Sequence, residues 1–370
     1  MIEIKRRRQR PLVVSVNQDS GIGPGRAKGA AVHVEAMRIA FQRVGCSCLG
    51  LDEPDDGRLL QALNAQLAEG TIDMIYERYA LGKSAAARFA AKHNIPLVLE
   101  VNSPLAAEHR QWRGGSNEAE DARQDAITMG QACAVLAVSN DVGYYAMGRG
   151  ARKSAVAVFP NGIDCRQFNL AARENSQRRD LLPQNRFVIG FHGRLRPWHG
   201  FGMLVDTAAE LLARGRDIHL LVVGEGEFSE LQRLPEERFT RIGWRPHEEI
   251  PGYVAAFDAL PLTYQPDMPC YFSPLKLREA MACGVVPLVP ALGDLPLSVE
   301  HGKTGIVYSA GDGEQLLEQL ELLVADSYKC GELGRNASVE AARHSWDRIA
   351  AYALDSAMAT GARENLPQAG

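Results

Sequence analysis

Short runs of apolar, often β-branched residues alternate with amphipathic segments along the first part of the chain. The runs predict strands and lie at 12–16, 74–76, 97–101, 134–138 and 155–159. After the first run, apolar residues recur at i, i+4, i+7 and i+8, the spacing of one helix face; they are Val32, Ala36, Ile39 and Ala40. Regular alternation of strands and helices predicts a parallel sheet covered by helices on both faces.

This alternation stops at a polar, charged stretch and then begins again. Residues 169–186 contain no run that predicts a strand, and the next apolar run, FVIGF, lies at 187–191. We therefore predict one α/β domain at 1–168, a linker at 169–186 and a second α/β domain at 187–344, followed by an amphipathic helix at 345–360. The interruption favours two Rossmann-like domains over a single α/β barrel. It also predicts a ligand at the carboxyl ends of the strands, facing a cleft between the domains.

Composition and charge narrow the classes of function. The chain of 370 residues has 41 Lys and Arg against 45 Asp and Glu, a net charge of −4, which argues against a broad nucleic-acid-binding surface. No apolar run approaches the roughly 18 residues needed to span a bilayer, and Met1 leads into basic residues at 5–10 without an apolar signal sequence. The seven cysteines lack metal-site spacing, so we expect free thiols in a reducing cytoplasm.

A glycine-rich segment follows the first predicted strand. It contains two cations, Arg26 and Lys28, and four glycines, Gly21, Gly23, Gly25 and Gly29. The dinucleotide fingerprint Gly-x-Gly-x-x-Gly fails because Arg26 or Lys28 stands at the third glycine position, and a Walker loop fails because Gly-Lys-Ser/Thr is missing. Successive glycines at the start of a helix let backbone amides approach an anion, although a flexible turn would use the same residues.

The second half begins with a similar junction. Gly193 follows the strand at 187–191, Arg194 comes next, and His199 stands just before the next predicted helix. The planar fork of an arginine can donate two hydrogen bonds to a diphosphate, while a surface ion pair is the alternative for Arg194. His199 could donate to the same oxygens or cap the helix. A Gly-x-Gly at 224–226 predicts either a close backbone approach to a ligand or a plain turn.

The densest group of polar residues lies at 271–290. Ser273 and Pro274 predict a helix start, with Ser273 as the cap and Pro274 in the first turn. Lys276 adds a cation at this end of the helix, where free amides also favour an anion. Glu279 lies one turn further along, and its two oxygens suit a pair of sugar hydroxyls. An ordinary amphipathic helix with a solvated lysine and glutamate is the alternative.

The second half of the chain resembles the C-terminal half of retaining GT-B glycosyltransferases, specifically glycosyltransferase family 4, in the segments GRLRPWHG, VVGEGE, RIGWRPHEEIPGYVAAFDALPLTY and SPLKLREAMACGVVPLV. The first half is similar to the acceptor-side half of a bacterial branch in GPGRAKGAAVHVEAM, IYERY, PLVLEVNSPLAAEH and PNGID. The resemblance implies a GT-B architecture, in which two Rossmann-like domains face a deep cleft and a C-terminal helix crosses back onto the first domain.

The same resemblance implies a reaction. A hexose-type sugar would move from a nucleotide-diphosphate sugar, with UDP or GDP as the nucleotide, to an acceptor hydroxyl with retention of the anomeric configuration. No metal or other cofactor is implied, because cationic side chains and helix N-termini would stabilise the charge of the leaving diphosphate.

The resemblance also assigns roles to single residues. Arg194 and Lys276 would stabilise the leaving diphosphate, and Asn102 would lie near the reacting sugar, where many relatives carry a histidine. Two positions depart from the family pattern, because His199 replaces a lysine and Tyr271 replaces the first of two glutamates. The implied donor-binding residues are Gly23, Gly25, Gly193, His199, Gly224, Glu225, Ile242, Ser273, Pro274, Leu275 and Glu279. The implied acceptor-side residues are Lys28, Glu77, Arg78, Glu108 and His109.

The residues do not identify the acceptor, and they leave several alternative functions open. The family takes carbohydrate, lipid-linked and small-molecule acceptors, and no nucleic acid is expected as a partner. Residues 5–10 are either a solvated tail or a peripheral contact of a cytoplasmic protein with anionic lipid at the inner face of the membrane. The alternative functions are a GT-B-fold sugar-nucleotide epimerase or hydrolase, a non-catalytic nucleotide-sugar-binding subunit, and an NAD-dependent oxidoreductase.

Overall fold

The computed structural model describes residues 10–20, 22, 29–112, 117–173, 181–183 and 185–364. Contacts divide the chain into two compact units. Unit 1 comprises Met1–Pro160 and Trp346–Gly370, and unit 2 comprises Asn161–Ser345. The predictions made for Gly23, Gly25, Lys28 and residues 5–9 lie outside the described residues.

Unit 1 contains a six-stranded parallel sheet with the strand order β2-β1-β3-β4-β5-β6. Its strands are β1 (Leu12–Asn17), β2 (Ser47–Asp52), β3 (Met74–Arg78), β4 (Leu97–Val101), β5 (Ala134–Ala137) and β6 (Val156–Val158). Its described helices are α1 (Gly29–Arg43), α2 (Asp56–Glu69), α3 (Ala85–His93), α4 (Leu105–Trp112), α5 (Glu118–Gln131), α6 (Asn140–Gly148) and, from the end of the chain, α12 (Trp346–Glu364). The strands β4 and β5 are buried along their whole length, as expected for a parallel sheet covered on both faces.

Unit 2 contains a second six-stranded parallel sheet, with the strand order β12-β11-β10-β7-β8-β9. Its strands are β7 (Phe187–His192), β8 (Ile218–Val223), β9 (Phe239–Ile242), β10 (Ala259–Pro261), β11 (Val286–Pro290) and β12 (Ile306–Tyr308). Its described helices are α7 (Phe201–Ala213), α8 (Ile250–Val254), α9 (Leu275–Ala282), α10 (Gly313–Ala325) and α11 (Ser327–Ala341). The prediction of two Rossmann-like α/β units is confirmed.

Two hydrophobic cores lie on opposite faces of the second sheet. Consecutive residues of β7 and β8 alternate between them, because side chains of a strand point to opposite faces. Val188 and Leu221 belong to one core, which also holds α9 residues such as Leu277, and Ile189 and Leu220 belong to the other. Burial on both faces explains why these strands read as continuous apolar runs in the sequence.

The boundaries of unit 2 differ from the predicted ones. Unit 2 begins at Asn161 rather than at the predicted residue 187, because the side chains of Ile163 and Phe168 are buried in its core. Part of the predicted linker also packs on unit 2. The Arg173 guanidinium donates hydrogen bonds to three carbonyl oxygens of that unit, those of Phe257, Cys283 and Gly284. A polar residue of the predicted linker thus stabilises unit 2 through hydrogen bonds, which the charge pattern alone did not indicate.

The last helix, α12, belongs to unit 1 although it follows unit 2 in the chain. Its alanines at 350, 353 and 357 are buried, and the ring of Trp346 lies 4.4 Å from that of His33 on α1, centroid to centroid. Among the helices that the structure describes, none is both long and apolar enough to cross a bilayer. The seven cysteines all lie in the described part of the chain, and none of them forms a disulfide there.

Candidate functional site

The order of strands in unit 2 marks one place for a ligand. Strand β7 lies between β8, which follows it in the chain, and β10, so the chain turns to opposite sides of β7. In open α/β sheets, ligands bind outside the carboxyl ends of the strands at such a switch point. Gly193 and Arg194 directly follow β7 and therefore lie at this edge.

Backbone contacts join the carboxyl ends of β7, β8 and β9. The amide of Gly193 donates to the carbonyl of Val223 at 2.9 Å, and the amide of Gly224 donates to the carbonyl of Ile242 at 2.9 Å. Gly224 has φ +139°, and a Cβ there would lie 2.2 Å from the Gly193 carbonyl oxygen. Only glycine fits this approach, so the predicted Gly224 turn is required by close packing of two strand ends. The amide of Leu195 also donates to the Glu225 carbonyl, at 2.7 Å.

Two hydrogen-bond donors meet beside this turn. The Nδ1 atom of His199 accepts from the backbone amide of Arg196 at 3.0 Å, so in the neutral ring the proton sits on Nε2. That Nε2 lies 3.3 Å from Nζ of Lys276, whose ammonium also stands 4.5 Å from the centroid of the Phe191 ring. Neither an Nε2–H group nor an ammonium can accept a hydrogen bond. Their convergence therefore suits an anionic oxygen that accepts from both.

The pKa values of His199 and Lys276 also favour an anionic oxygen at this place. Burial, together with the charges of Lys276 and Arg196, lowers the pKa of His199 to about 2, so the imidazole is neutral and donates without a charge. Burial lowers the pKa of Lys276 to about 7, against the opposing influence of Glu279. A bound anion would favour the charged amine. One nitrogen of His199 closes the short turn Pro197–His199 and the other faces Lys276. His199 does not cap the following helix α7, whose cap position is Gly200 without a side-chain cap bond.

The start of α9 differs from the prediction in one respect. Helix α9 begins at Leu275, with Pro274 at the cap position and no side-chain cap bond. The prediction of Ser273 as the cap is wrong, because its Oγ instead accepts from the backbone amide of Asn161 at 2.9 Å. The Asn161 side-chain amide also donates to the Ser273 carbonyl at 2.6 Å. Asn161 from the PNGID segment therefore holds the entry to α9, the helix that carries Lys276.

Glu279 is buried one turn into α9 and contacts two histidines. The Nε2 atom of His247 lies 3.1 Å from Oε1, and Nδ1 of His192 lies 3.7 Å from Oε2. Burial would raise the pKa of Glu279, but the hydrogen bond of His247 and the charges of His192, His247 and Lys276 lower it. Glu279 is therefore a carboxylate near neutral pH. Neither histidine was predicted from the sequence, although His192 directly precedes the segment GRLRPWHG and His247 lies within RIGWRPHEEIPGYVAAFDALPLTY.

Arg194 and Tyr271 lie at the edge of this group. The Arg194 side chain is exposed and pairs with no carboxylate in the part of the chain that the structure describes, so the surface ion pair considered for it is not seen. Tyr271 is half-buried, and its ring lies edge-on to that of Phe272 at 5.9 Å. An aromatic side chain thus occupies the position at which the family pattern has a carboxylate.

A second polar group lies at the carboxyl ends of β3 and β4 in unit 1. Glu100 is buried and accepts hydrogen bonds from Tyr76 at 2.8 Å, Arg78 at 3.3 Å and Asn102 at 2.5 Å, and Nε2 of His33 lies 2.5 Å from it. Burial opposes its ionisation, but His33, followed by Arg78 and Asn102, lowers the pKa of Glu100 to about 2. Glu100 was not predicted, and it orients the predicted Asn102 and Arg78.

Glu77, also predicted on the acceptor side, does not join this group. Glu77 follows Tyr76 in β3, so its side chain points to the opposite face of the sheet from Tyr76 and Arg78. It is fully buried, and burial followed by the charge of Asp56 raises its pKa to about 8. Glu108 and His109 are half-buried on α4. Among the described residues, no group of three His, Cys, Asp or Glu side chains could hold a metal ion.

Comparison with known proteins supports a function for unit 2. Residues 186–326 match the family described as Glycosyl transferases group 1. The D-inositol 3-phosphate glycosyltransferase of Corynebacterium jeikeium (strain K411) is 29% identical over 319 residues, which cover 80% of this chain and 73% of that protein. The protein of the same name from Pseudarthrobacter chlorophenolicus is 25% identical over 308 residues, with coverages of 80% and 73%.

Solved structures share the fold. Anabaena Alr3699/HepE, in complex with UDP and glucose, superposes with a TM-score of 0.69 at 22% identity and covers 94% of this chain and 100% of its own. Sucrose-phosphate synthase from Thermosynechococcus elongatus superposes with a TM-score of 0.68 at 17% identity, with coverages of 96% and 99%. Residues 186–326 thus resemble group 1 glycosyltransferases, and the chain shares its fold of two α/β units with these solved structures.

Proposed function

We propose that this chain is a retaining, metal-independent glycosyltransferase of family 4, which transfers a hexose-type sugar from a nucleotide-diphosphate sugar to an acceptor hydroxyl. The observation that carries the proposal is the pair of donors formed by Lys276 and His199, 3.3 Å apart at the carboxyl end of β7. The match of residues 186–326 to group 1 glycosyltransferases supports a nucleotide-sugar donor, as do the HepE structures in complex with UDP and glucose and with UDP-glucose.

In this proposal the donor diphosphate lies between the N-terminus of α9 and the turn after β7. Negative charge grows on the diphosphate as its bond to the sugar breaks. Lys276, neutral His199 and Arg194 donate to it, and the helix N-terminus adds its dipole. One such donor aimed at developing charge typically lowers the barrier by about 3–4 kcal/mol. Because these groups are held in place before the reaction, little reorganisation is needed when the charge appears.

The remaining roles follow from chemistry and position. Glu279, a carboxylate one turn into α9, accepts from the ribose hydroxyls of the donor. Asn102, which is held by Glu100, donates to a hydroxyl of the reacting sugar but has no group that titrates near neutral pH. Because none of the assigned roles supplies a nucleophile for a double displacement, we expect a front-face reaction, in which the leaving phosphate takes the proton of the acceptor hydroxyl. The relatives named D-inositol 3-phosphate glycosyltransferase make a small polyol acceptor the first class to test.

The test uses a panel of UDP- and GDP-sugars. A donor that binds raises the melting temperature in proportion to RT ln(1 + [L]/Kd). With the best donor and an acceptor panel, we expect Arg194→Ala and Lys276→Ala each to lower kcat by about 10²-fold or more. NMR of the product should show the anomeric configuration of the donor, and activity should persist in EDTA. Near-wild-type turnover of both variants would contradict the diphosphate site, and release of free sugar without acceptor would favour the hydrolase alternative.

A further inference from the structure

The Glu279 carboxylate is held from outside its own helix. Its Oε1 atom lies 3.1 Å from Nε2 of His247, which stands in the turn between β9 and α8. Its Oε2 atom lies 3.7 Å from Nδ1 of His192, the last residue of β7. The first distance is that of a hydrogen bond, and the second is too long for one. Among the residues that the structure describes, only the side chain of His247 forms a hydrogen bond with the carboxylate and so fixes its orientation.

The His247 ring is itself held in place. It packs against the buried ring of Phe168, with 5.4 Å between the ring centroids. The charged groups that face it are Glu279, Glu248 and Asp164, and all three raise its pKa while burial lowers it. His192 faces the other oxygen of Glu279 but is neutral near pH 7, because burial lowers its pKa to about 4. In either protonation state, an Nε2–H of His247 can donate to Oε1.

A carboxylate has about four lone-pair sites on its two oxygens, so one donated bond leaves room for further donors. A single hydrogen bond to Oε1 selects one rotation of the Glu279 side chain and leaves the other lone pairs available. Two adjacent hydroxyls of a ribose present two donors at a fixed spacing, and a pre-oriented carboxylate accepts both without losing side-chain freedom on binding.

We propose that His247 is a positioning residue, which orients Glu279 through the Nε2–Oε1 hydrogen bond so that the carboxylate accepts the two ribose hydroxyls of the donor nucleotide. The inference rests on the proposed function, since that function assigns Glu279 to the ribose. His247 touches no reacting atom in this role. It changes how strongly the site distinguishes a nucleotide with ribose hydroxyls from one without them.

The experiment measures that distinction directly. Calorimetry first identifies which of UDP, GDP and ADP binds most tightly to the full chain. The dissociation constant of that nucleotide is then compared with that of its 2′,3′-dideoxy analogue. We expect the wild-type chain to bind the ribonucleotide at least about tenfold more tightly, and His247→Ala to reduce this ratio by about fivefold or more. His247→Gln should restore most of the ratio, because the Gln amide can donate from a similar position.

Matched controls separate positioning from a structural role. His344 forms a similar contact with Glu340, at 3.2 Å, so His344→Ala breaks a histidine–glutamate pair outside this group and should leave the ratio unchanged. A purely structural effect of His247→Ala would weaken both nucleotides equally, and an unchanged ratio overturns the inference. If Glu279→Ala lowers the ratio and His247→Ala does not, the proposed function stands and the inference fails. A wild-type ratio near one, or binding of none of the three nucleotides, overturns the role of Glu279 in the proposed function as well.

Discussion

Glu77 offers a quantitative test of the electrostatics in unit 1. Its side chain is 0% exposed, and neither carboxylate oxygen has a hydrogen-bond partner in the portion of the chain that the structure describes. Burial, followed by the charge of Asp56, raises its pKa from 4.5 to about 8. The carboxyl group is therefore protonated in the folded chain at pH 7, whereas it is ionised in the unfolded chain.

The sign of the effect on stability follows from proton binding. Between pH 4.5 and about 8, the folded state keeps a proton that the unfolded state releases, so the free energy of unfolding falls as pH rises through this window. At about 1.4 kcal/mol per pH unit, the whole window amounts to at most about 5 kcal/mol. Glu77→Gln has no proton to release in either state. We therefore expect it to match the wild type in stability at pH 4.5 and to exceed it progressively up to pH 8.

Denaturation in guanidinium chloride at pH 4.5, 6, 7 and 8.5 measures this difference. In a background that carries Trp198→Phe and Trp244→Phe, fluorescence reports on unit 1, in which Trp346 is buried against His33. The exposed Glu69 on α2 provides the control, since Glu69→Gln should show little pH-dependent gain over the wild type. Parallel pH profiles for the wild type and Glu77→Gln would refute the assignment of a protonated, buried carboxyl group. A stability gain of Glu77→Gln over the wild type that is largest at pH 4.5 would also refute the assignment, because the pH dependence would then have the opposite sign.

Three further predictions concern unit 2. Because the pKa of Lys276 is about 7 in the free chain, the affinity for UDP, measured by calorimetry, should fall between pH 6 and 9 as the amine loses its charge. Lys276→Arg should remove this pH dependence, and a flat wild-type profile would contradict the prediction. Gly224→Ala should lower the free energy of unfolding by more than the roughly 1–3 kcal/mol of backbone strain, because its Cβ would meet a carbonyl oxygen. Gly215→Ala, at φ +75° in open space, should lower it by the strain alone. Equal denaturation midpoints for the two variants would argue against the close approach at Gly224. Arg173→Ala should lower the free energy of unfolding by about 2–3 kcal/mol, since a charged donor to three carbonyl oxygens is lost. An unchanged denaturation midpoint would show that this contact does not stabilise the fold.

Several parts of the candidate site were visible in the sequence because they depend on local rules. Gly224 and Gly193 follow apolar runs that predict strands, and parallel strands bring their carboxyl ends to one edge. Lys276 and Glu279 are three residues apart on a predicted helix, so their proximity needs only helical geometry. The replacement of a lysine by His199 was also visible, but its neutral state depends on burial and on the nearby Lys276.

Other parts depend on contacts between distant segments, which no local pattern encodes. His247 and Glu279 are 32 positions apart, Asn161 and Ser273 are 112 apart, and both pairs form only when the strands are arranged in their final order. The sequence predicted Glu77 and Arg78 as one acceptor-side group. The alternation of side chains along β3 places them on opposite faces. Glu77 has no hydrogen-bond partner among the described residues, whereas Arg78 is bonded to Glu100.

By itself, the sequence determined the alternation of strands and helices, the presence of two α/β units, and the positions of glycines and charged residues at strand ends. These properties follow from periodicity and from short-range geometry, which act within a few residues. Only the tertiary structure decided where unit 2 begins, which carboxylates are ionised, and which histidines contact Glu279. The reason is that burial and hydrogen bonding between distant segments set both the packing and the pKa of each group, and these arise only once the chain has folded.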